Sequence, residues 1–142
     1  MIQLINLDSL EKTCQLAGKI ASQVNIGDVI ALSGELGAGK TYFTQCFCKH
    51  LGVSEYVSSP SYILLNEYLG RFPIAHFDLY RLDSLDEVLE TGLPDFIEQR
   101  ITVIEWYEVA RDLLPKDTIF LDFELTETKR LVKLNTSRNL MI

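Results

Sequence analysis

Gly34-Glu35-Leu36-Gly37-Ala38-Gly39-Lys40-Thr41 matches the phosphate-binding pattern G-x-x-x-x-G-K-[ST], the P-loop, at every fixed position. The apolar run Val29-Ile30-Ala31-Leu32 predicts a buried strand before it, and a helix is predicted from about Lys40 to Leu51, ended by Gly52. In a strand–loop–helix unit of this kind, glycines turn backbone N–H groups toward phosphate oxygens, and the helix N-terminus adds further donors. The segment therefore predicts a nucleotide-binding protein of the α/β class.

The P-loop residues also predict the ligand. Residues 34–41 would surround the phosphates, with Lys40 as the cation for the β- and γ-phosphates and the Thr41 hydroxyl as a ligand of Mg²⁺. The guanine-binding pattern N-K-x-D and the γ-phosphate pattern D-x-x-G are both missing from the sequence. ATP with Mg²⁺ is therefore favoured over GTP.

Two carboxylates could complete such a site, because a P-loop enzyme uses a second acidic side chain near the metal. Glu105 follows the apolar run 101–104, and Asp78 follows the run 74–77. We expect each of them to contact metal or water. Trp106 either lines the nucleotide pocket or fills the core, whereas His76 is interpreted as a structural residue.

The arginine that would stabilise a transferring phosphoryl group is not marked by the sequence. Arg71, Arg81, Arg100 and Arg111 are all candidates, and no arginine-rich lid is visible. We therefore expect weak hydrolysis by the chain alone, with a partner completing the site. A small-molecule kinase and a nucleotide-responsive adaptor protein are the alternative functions.

The rest of the chain predicts one α/β domain over residues 1–142, a P-loop NTPase-like three-layer domain with a mixed parallel and antiparallel sheet. A strand at about 2–7 precedes a helix whose capping box is Asp8 with Glu11. A strand from Tyr62 to Tyr68 enters a hairpin turn at Gly70-Arg71. Leucines at 82, 85 and 89 predict a short helix, and the segments 118–125 and 130–135 predict a C-terminal hairpin.

Composition limits the class of partner. The formal net charge of −7 argues against a large independent nucleic-acid surface, although a partner could carry the nucleic acid. Charges interrupt every apolar run, so no membrane span is expected, and no secretory leader is visible. Three cysteines with no paired framework favour a reducing cytoplasm, and Cys46 and Cys48 would not face each other on a helix.

These motifs together resemble the TsaE family, the bacterial tRNA threonylcarbamoyladenosine biosynthesis ATPases. The P-loop, the segment Ser58-Ser59-Pro60-Ser61-Tyr62, the run His76-Phe77-Asp78-Leu79-Tyr80-Arg81-Leu82 and the pair Glu105-Trp106 occur in the family's order. The resemblance implies a slow cytoplasmic ATPase that acts with TsaD and TsaB. It also implies contact with tRNA only through that complex, and no contact with membranes.

The resemblance further assigns roles to individual residues. It implies that Lys40 contacts the phosphates, that Thr41 and Glu105 ligate Mg²⁺, and that Asp78 positions metal and water, so that Asp78, Lys40 and Thr41 form the catalytic set. Ser59 and Ser61 would belong to a switch-like loop near the γ-phosphate.

Trp106 would lie near the nucleotide. The chain departs from the family at two positions. Ser61 replaces the usual threonine but keeps its hydroxyl, and Tyr107 stands where many relatives have proline.

Overall fold

The computed structural model describes residues 1–35, 37 and 39–142. Among these residues, seven strands form one sheet in the order β1-β7-β6-β2-β5-β4-β3. The strands are β1 (Ile2–Asn6), β2 (Val29–Ser33), β3 (Leu65–Leu69), β4 (Pro73–Asp78), β5 (Ile101–Glu105), β6 (Ile119–Leu125) and β7 (Arg130–Asn135). The helices are α1 (Leu10–Ala21), α2 (Lys40–His50), α3 (Leu85–Glu90) and α4 (Leu93–Gln99), with a 3₁₀ helix at Tyr107–Leu113.

The sheet is mixed, as predicted. Strands β4, β5, β2 and β6 are parallel neighbours, whereas β3 pairs antiparallel with β4, and β7 pairs antiparallel with both β6 and β1. All five residues of β5 are buried, which is typical of a parallel strand covered on both faces.

Helices cover both faces of the sheet and confirm the three-layer architecture. Side chains alternate along β2, so Ile30 and Leu32 enter one apolar core while Val29 and Ala31 enter the other. The first core contains apolar residues of α1 and α2, and the second contains those of α3, α4 and the 3₁₀ helix. Among the described residues, no helix is long and apolar enough to cross a membrane.

The cap of α1 differs from the prediction. Ser9, in an extended conformation with φ −139°, is the N-cap residue, and its side chain accepts a hydrogen bond from the Lys12 N–H. Asp8 lies one residue too early for that role and pairs with the Lys12 ammonium at 3.0 Å. The predicted capping box of Asp8 and Glu11 is therefore wrong by one residue.

The strand predicted to begin at Tyr62 begins at Leu65 instead. Residues 61–64 form a turn in which the N–H groups of Ile63 and Leu64 both donate to the carbonyl of Pro60. Leu64 has a φ of 76°, which lies outside the extended region that a strand requires. The turn leaves Tyr62 and Ile63 exposed to solvent.

Helix α4 was not predicted from the sequence. Gly92, at φ 79°, ends the chain reversal after α3, and Pro94 lies in the first turn of the new helix, where its missing N–H costs nothing. The apolar side chains of this helix, Leu93 and Ile97, belong to the second core.

A disulfide joins Cys14 on α1 to Cys46 on α2, with their Cα atoms 5.3 Å apart. The expectation that the cysteines form no pair is therefore wrong, because the two partners lie on adjacent helices although 32 residues separate them in sequence. Cys46 and Cys48 do not face each other, as predicted. Cys48 is fully buried, and burial, together with the nearby Glu55, raises the pKa of its thiol to about 12.

Candidate functional site

The candidate site lies where the carboxyl ends of three parallel strands meet the N-terminus of α2. In the register of the sheet, Glu105 at the end of β5 lies opposite Leu32 of β2 and opposite Asp78 of β4. Parallel neighbours end at the same edge of a sheet, which is the usual place for ligands in α/β folds. The predicted acidic residues and the P-loop are therefore at one edge.

Glycine is required at both ends of the loop. Gly34 has a φ of 133°, and a Cβ there would lie 2.6 Å from the carbonyl oxygen of Phe123, so β6 supports the start of the loop closely. Gly39 has a φ of 111° and is the N-cap of α2, with its carbonyl accepting from the Phe43 N–H. The N–H groups before Phe43 in that first turn have no partner within the helix, which makes them donors for an anion.

The middle of the loop is described only in part. Gly37 has a φ of 85° with open space around its Cβ position, so backbone conformation alone favours glycine there. Glu35 is exposed. The predicted contributions of Leu36 and Ala38 lie outside the described residues.

Lys40 points at Glu105. Its Nζ lies 3.8 Å from Glu105 Oε1 and 4.7 Å from the centre of the Trp106 ring. Only 8% of Lys40 and 3% of Glu105 is exposed, so the two charges attract each other with little screening by solvent. A phosphate entering the loop would therefore meet a cation whose position is already restricted.

His76 contacts the other oxygen of the same carboxylate. The ring Nε2 lies 2.7 Å from Glu105 Oε2, and His76 is completely buried. Its Nδ1 has no hydrogen-bond partner among the described residues. The interpretation of His76 as a merely structural residue therefore missed its contact with a predicted metal ligand.

The segment Ser58-Ser59-Pro60-Ser61, the serine loop, contacts Asp78. The Ser61 hydroxyl donates to Asp78 Oδ2 at 3.1 Å, and the Ser59 and Ser61 hydroxyls lie 2.7 Å apart. The Tyr80 N–H donates to Asp78 Oδ1 at 3.0 Å. Ser59 and Ser61, which the resemblance assigns to a switch-like loop near the γ-phosphate, thus form a hydrogen-bonded chain that ends on the buried Asp78 carboxylate.

Trp106 lies at the site rather than in either core. It adopts a left-handed conformation with φ 56°, and its backbone N–H donates to the backbone carbonyl of Leu32. Its half-buried ring contacts Lys40 on one side and lies 5.1 Å from the Tyr80 ring. The side chain therefore lies beside Lys40 and is part of neither core, whereas its contact with a nucleotide stays a prediction.

The donors at this edge suit Mg²⁺ held together with phosphates. Thr41 is exposed on the first turn of α2, and Glu105 supplies carboxylate oxygen. In the described part of the chain, no three His, Cys, Asp or Glu side chains form a metal cluster of their own. Mg²⁺ commonly takes one or two protein oxygens and completes its shell with phosphate and water, so these residues fit that ion.

A second network, not anticipated from the sequence, lies beneath the loop. Asp122 on β6 accepts hydrogen bonds from the Ser33 hydroxyl and from the Tyr107 hydroxyl, the latter at 3.0 Å. Burial and the adjacent Asp122 carboxylate raise the pKa of Tyr107, so its phenol remains a donor. Tyr107 stands where the resemblance led us to expect proline, and this hydrogen bond gives the tyrosine a local role.

Each of the four candidate arginines contacts a described residue other than Lys40, Glu105 and Asp78. Arg71 donates to the carbonyl of His50, Arg100 pairs with Glu67, Arg81 lies over the Tyr62 ring, and Arg111 lies over Tyr107. Within the part of the chain that the structure describes, none of these four contacts involves Lys40, Glu105 or Asp78.

Known proteins resemble the chain in sequence and in structure. The family described as threonylcarbamoyl adenosine biosynthesis protein TsaE matches residues 7–133. The tRNA threonylcarbamoyladenosine biosynthesis protein TsaE of Rickettsia felis is 36% identical over 137 residues, which are 94% of this chain and 80% of that protein. The protein of the same name from Bacillus subtilis is 36% identical over 77% of this chain and 69% of its own length.

The crystal structure of Bacillus subtilis YdiB superposes with a TM-score of 0.78 at 27% identity, covering 98% of this chain and 88% of YdiB. This similarity supports the α/β architecture and extends over almost the whole chain. The sequence matches and the motif order agree with each other, and the chain therefore belongs to the TsaE family.

Proposed function

We propose that this protein is an ATP-binding, slowly hydrolysing P-loop ATPase that supports the formation of threonylcarbamoyladenosine in tRNA. The observation that carries the proposal is the meeting of Lys40, Glu105 and Asp78 at the sheet edge where α2 begins. The family name and the names of the relatives refer to this modification.

In this proposal the chain's own groups bind and orient the triphosphate. The glycine loop and the free N–H groups of the first turn of α2 hold the phosphates, and Lys40 neutralises part of their charge. Thr41 and Glu105 hold Mg²⁺, which supplies charge stabilisation at the phosphoryl group. Asp78 would accept a hydrogen bond from the attacking water and so orient it, while the Ser61 hydroxyl donates to Asp78 Oδ2 and restricts the carboxylate.

The described contacts of the arginines support slow hydrolysis by the isolated chain. None of these contacts reaches Lys40 or Glu105, so we propose that the charge that commonly stabilises phosphoryl transfer comes from a partner. By resemblance to the family, we propose TsaD and TsaB as the partners that complete the site.

The surface beside Asp78 supports contact with a protein partner. Tyr62, Ile63 and Tyr80 are exposed next to the residues that hold Asp78, with 85% of Tyr62 accessible to solvent. Exposed apolar side chains grouped in this way are typical of interaction sites. The net charge of −7 favours tRNA binding by the partners rather than by this chain. By resemblance to the family, and not from its cysteines, we propose a cytoplasmic protein that acts without a membrane.

The test measures ATP hydrolysis and repeated tRNA modification, with the chain alone and with TsaD and TsaB. We expect slow hydrolysis alone and faster hydrolysis with the partners, together with modification that requires Lys40. Partners that change neither quantity would contradict the proposal. Phosphate transfer to a metabolite without partners would favour a small-molecule kinase, and modification that survives loss of hydrolysis would favour an adaptor.

A further inference from the structure

We infer that His76 is a positioning residue that orients the Glu105 carboxylate for Mg²⁺-dependent nucleotide binding. This inference deepens the proposed function and rests on it. It concerns a side chain that the P-loop pattern does not include.

The position of His76 follows from the sheet. Side chains alternate along β4, so His76 and Asp78 lie on one face, while Phe77 enters the second core on the other face. Val103 is the register partner of His76, and Glu105 follows Val103 by two residues. Diagonal neighbours of this kind in adjacent strands lie within reach of long side chains, which explains the 2.7 Å contact between the imidazole and the carboxylate.

The two oxygens of Glu105 have different partners. Oε2 lies against the ring Nε2 of His76, and Oε1 lies on the side of the Lys40 Nζ, 3.8 Å away. An ionised carboxylate only accepts hydrogen bonds, so the imidazole Nε2–H donates here. This donation restricts rotation of the carboxylate and leaves Oε1 directed toward the phosphate-binding lysine.

The other ring nitrogen argues against a purely packing role. Nδ1 of His76 is buried without a hydrogen-bond partner among the described residues, which costs stability. The neighbours Ile74, Ala75 and Phe77 on the same strand are apolar and buried, so the strand accommodates apolar side chains readily. A buried imidazole with one unpaired nitrogen therefore stabilises the fold less than an apolar side chain would at this position. Its contact with Glu105 is the feature that offsets this cost.

A structural alternative must be distinguished, since His76 could simply satisfy a buried carboxylate. Loss of His76 would then weaken nucleotide binding to the same extent with and without metal. A positioning role predicts a loss confined to the Mg²⁺-dependent part of the affinity. Substituting groups that orient a metal ligand commonly costs about 10–100-fold in metal affinity.

The experiment titrates the full chain with the ATP analogue AMP-PNP by calorimetry, once in Mg²⁺ and once in EDTA. We expect His76→Leu to reduce the apparent Mg²⁺ affinity about tenfold and to leave the affinity in EDTA unchanged. His76→Gln keeps an N–H donor of similar reach and should restore most of the Mg²⁺ effect. Thr102→Val is the matched control, because Thr102 is also buried with an unpartnered polar atom and lies on β5 three residues before Glu105, where the alternation of the strand places its side chain on the other face of the sheet.

Three results would overturn the inference: unchanged Mg²⁺ dependence in His76→Leu, equal losses in Mg²⁺ and EDTA, or no rescue by His76→Gln. If His76→Leu fails to fold, the imidazole of the unsubstituted chain provides the readout through ¹⁵N-histidine NMR. The Nε2–H resonance should shift when Mg²⁺ is added to the AMP-PNP complex, and an unmoved resonance also contradicts the inference. Failure of the unsubstituted chain to bind AMP-PNP at all would instead refute the proposed function.

Discussion

Asp78 and Glu105 are register partners at the ends of two adjacent parallel strands, yet their carboxylates contact different groups. Glu105 is bound between His76 and Lys40, whereas Asp78 accepts from Ser61 and from the backbone of Tyr80. One carboxylate is therefore tied to the phosphate-binding lysine and the other to the serine loop. This separation leads us to expect different effects when each is neutralised.

Replacing Asp78 by Asn should separate hydrolysis from binding. The amide keeps the shape of the side chain and can still accept one hydrogen bond, but it orients water poorly. We expect the rate of ATP hydrolysis to fall about a hundredfold, while ATP affinity stays near that of the unsubstituted chain. Glu105→Gln is the matched comparison and should instead reduce the dependence of binding on Mg²⁺. Identical profiles for both variants would contradict separate roles.

Lys40→Ala should weaken ATP binding by roughly 10–100-fold, because a charged hydrogen bond to phosphate contributes about 1.5–3 kcal/mol. Calorimetric titration with AMP-PNP measures this directly. Lys49→Ala on the same helix is the control, since Lys49 is exposed near the opposite end of α2. Equal losses in the two variants would indicate a general electrostatic effect and would refute the phosphate contact.

Nucleotide binding should change the fluorescence of Trp106. It is the only tryptophan, and its half-buried ring lies between the Lys40 ammonium and the Tyr80 ring, so a phosphate that draws Lys40 away alters its surroundings. We expect a saturable change in emission on titration with ADP, and no such change in Lys40→Ala at the same concentrations. A flat titration with binding shown by calorimetry would contradict the contact.

Reduction of the Cys14–Cys46 disulfide should lower stability. Its loss frees a segment of 32 residues in the unfolded chain, which corresponds to about 3–4 kcal/mol of chain entropy and a fall in Tm of about 10 °C. Melting curves with and without a thiol reductant measure the difference. A Cys14→Ser/Cys46→Ser double variant should have the lower Tm, and the reductant should not change that Tm. If the reductant also leaves the Tm of the unsubstituted chain unchanged, the bridge does not form.

Cys48 should make the fold sensitive to alkaline pH. Burial holds its pKa near 12, whereas the thiol of the unfolded chain ionises near its ordinary value of 9.0. Between these values the unfolded state binds fewer protons, so the free energy of unfolding falls as pH rises, by at most about 1.4 kcal/mol per pH unit.

Urea unfolding from about pH 8 to about pH 10.5 measures this slope. Tyr68 and Tyr107 also have raised pKa values and contribute with the same sign. The comparison with Cys48→Ala therefore isolates the thiol. A slope that does not become shallower in this variant would contradict the assignment to Cys48.

Local signals in the sequence predicted the central fold well. The run 29–32 and the P-loop were sufficient to place β2, the loop and α2, because buried strands and helix ends have strong local signatures. The strand-end positions of Asp78 and Glu105 were predicted for the same reason. The start of β3 was not, since the turn at 61–64 depends on two hydrogen bonds to Pro60 that no periodicity reveals.

The remaining errors involve contacts between residues far apart in sequence. His76 and Glu105 are separated by 29 residues, and the disulfide partners by 32, so only the arrangement of strands and helices brings them together. The sequence places a histidine two residues before an acidic strand end, but no local pattern indicates which carboxylate that histidine contacts. The Asp122 network beneath the loop is of the same kind.

The bridge between α1 and α2 restricts how these two helices can move relative to each other. Cys46 lies on the helix that begins at Lys40, so the bridge links that helix covalently to α1 beside the first core. Ser59 and Ser61, by contrast, reach Asp78 only through hydroxyl contacts. We therefore expect nucleotide binding to shift the loop that carries Tyr62, while α1 and α2 keep their positions relative to each other.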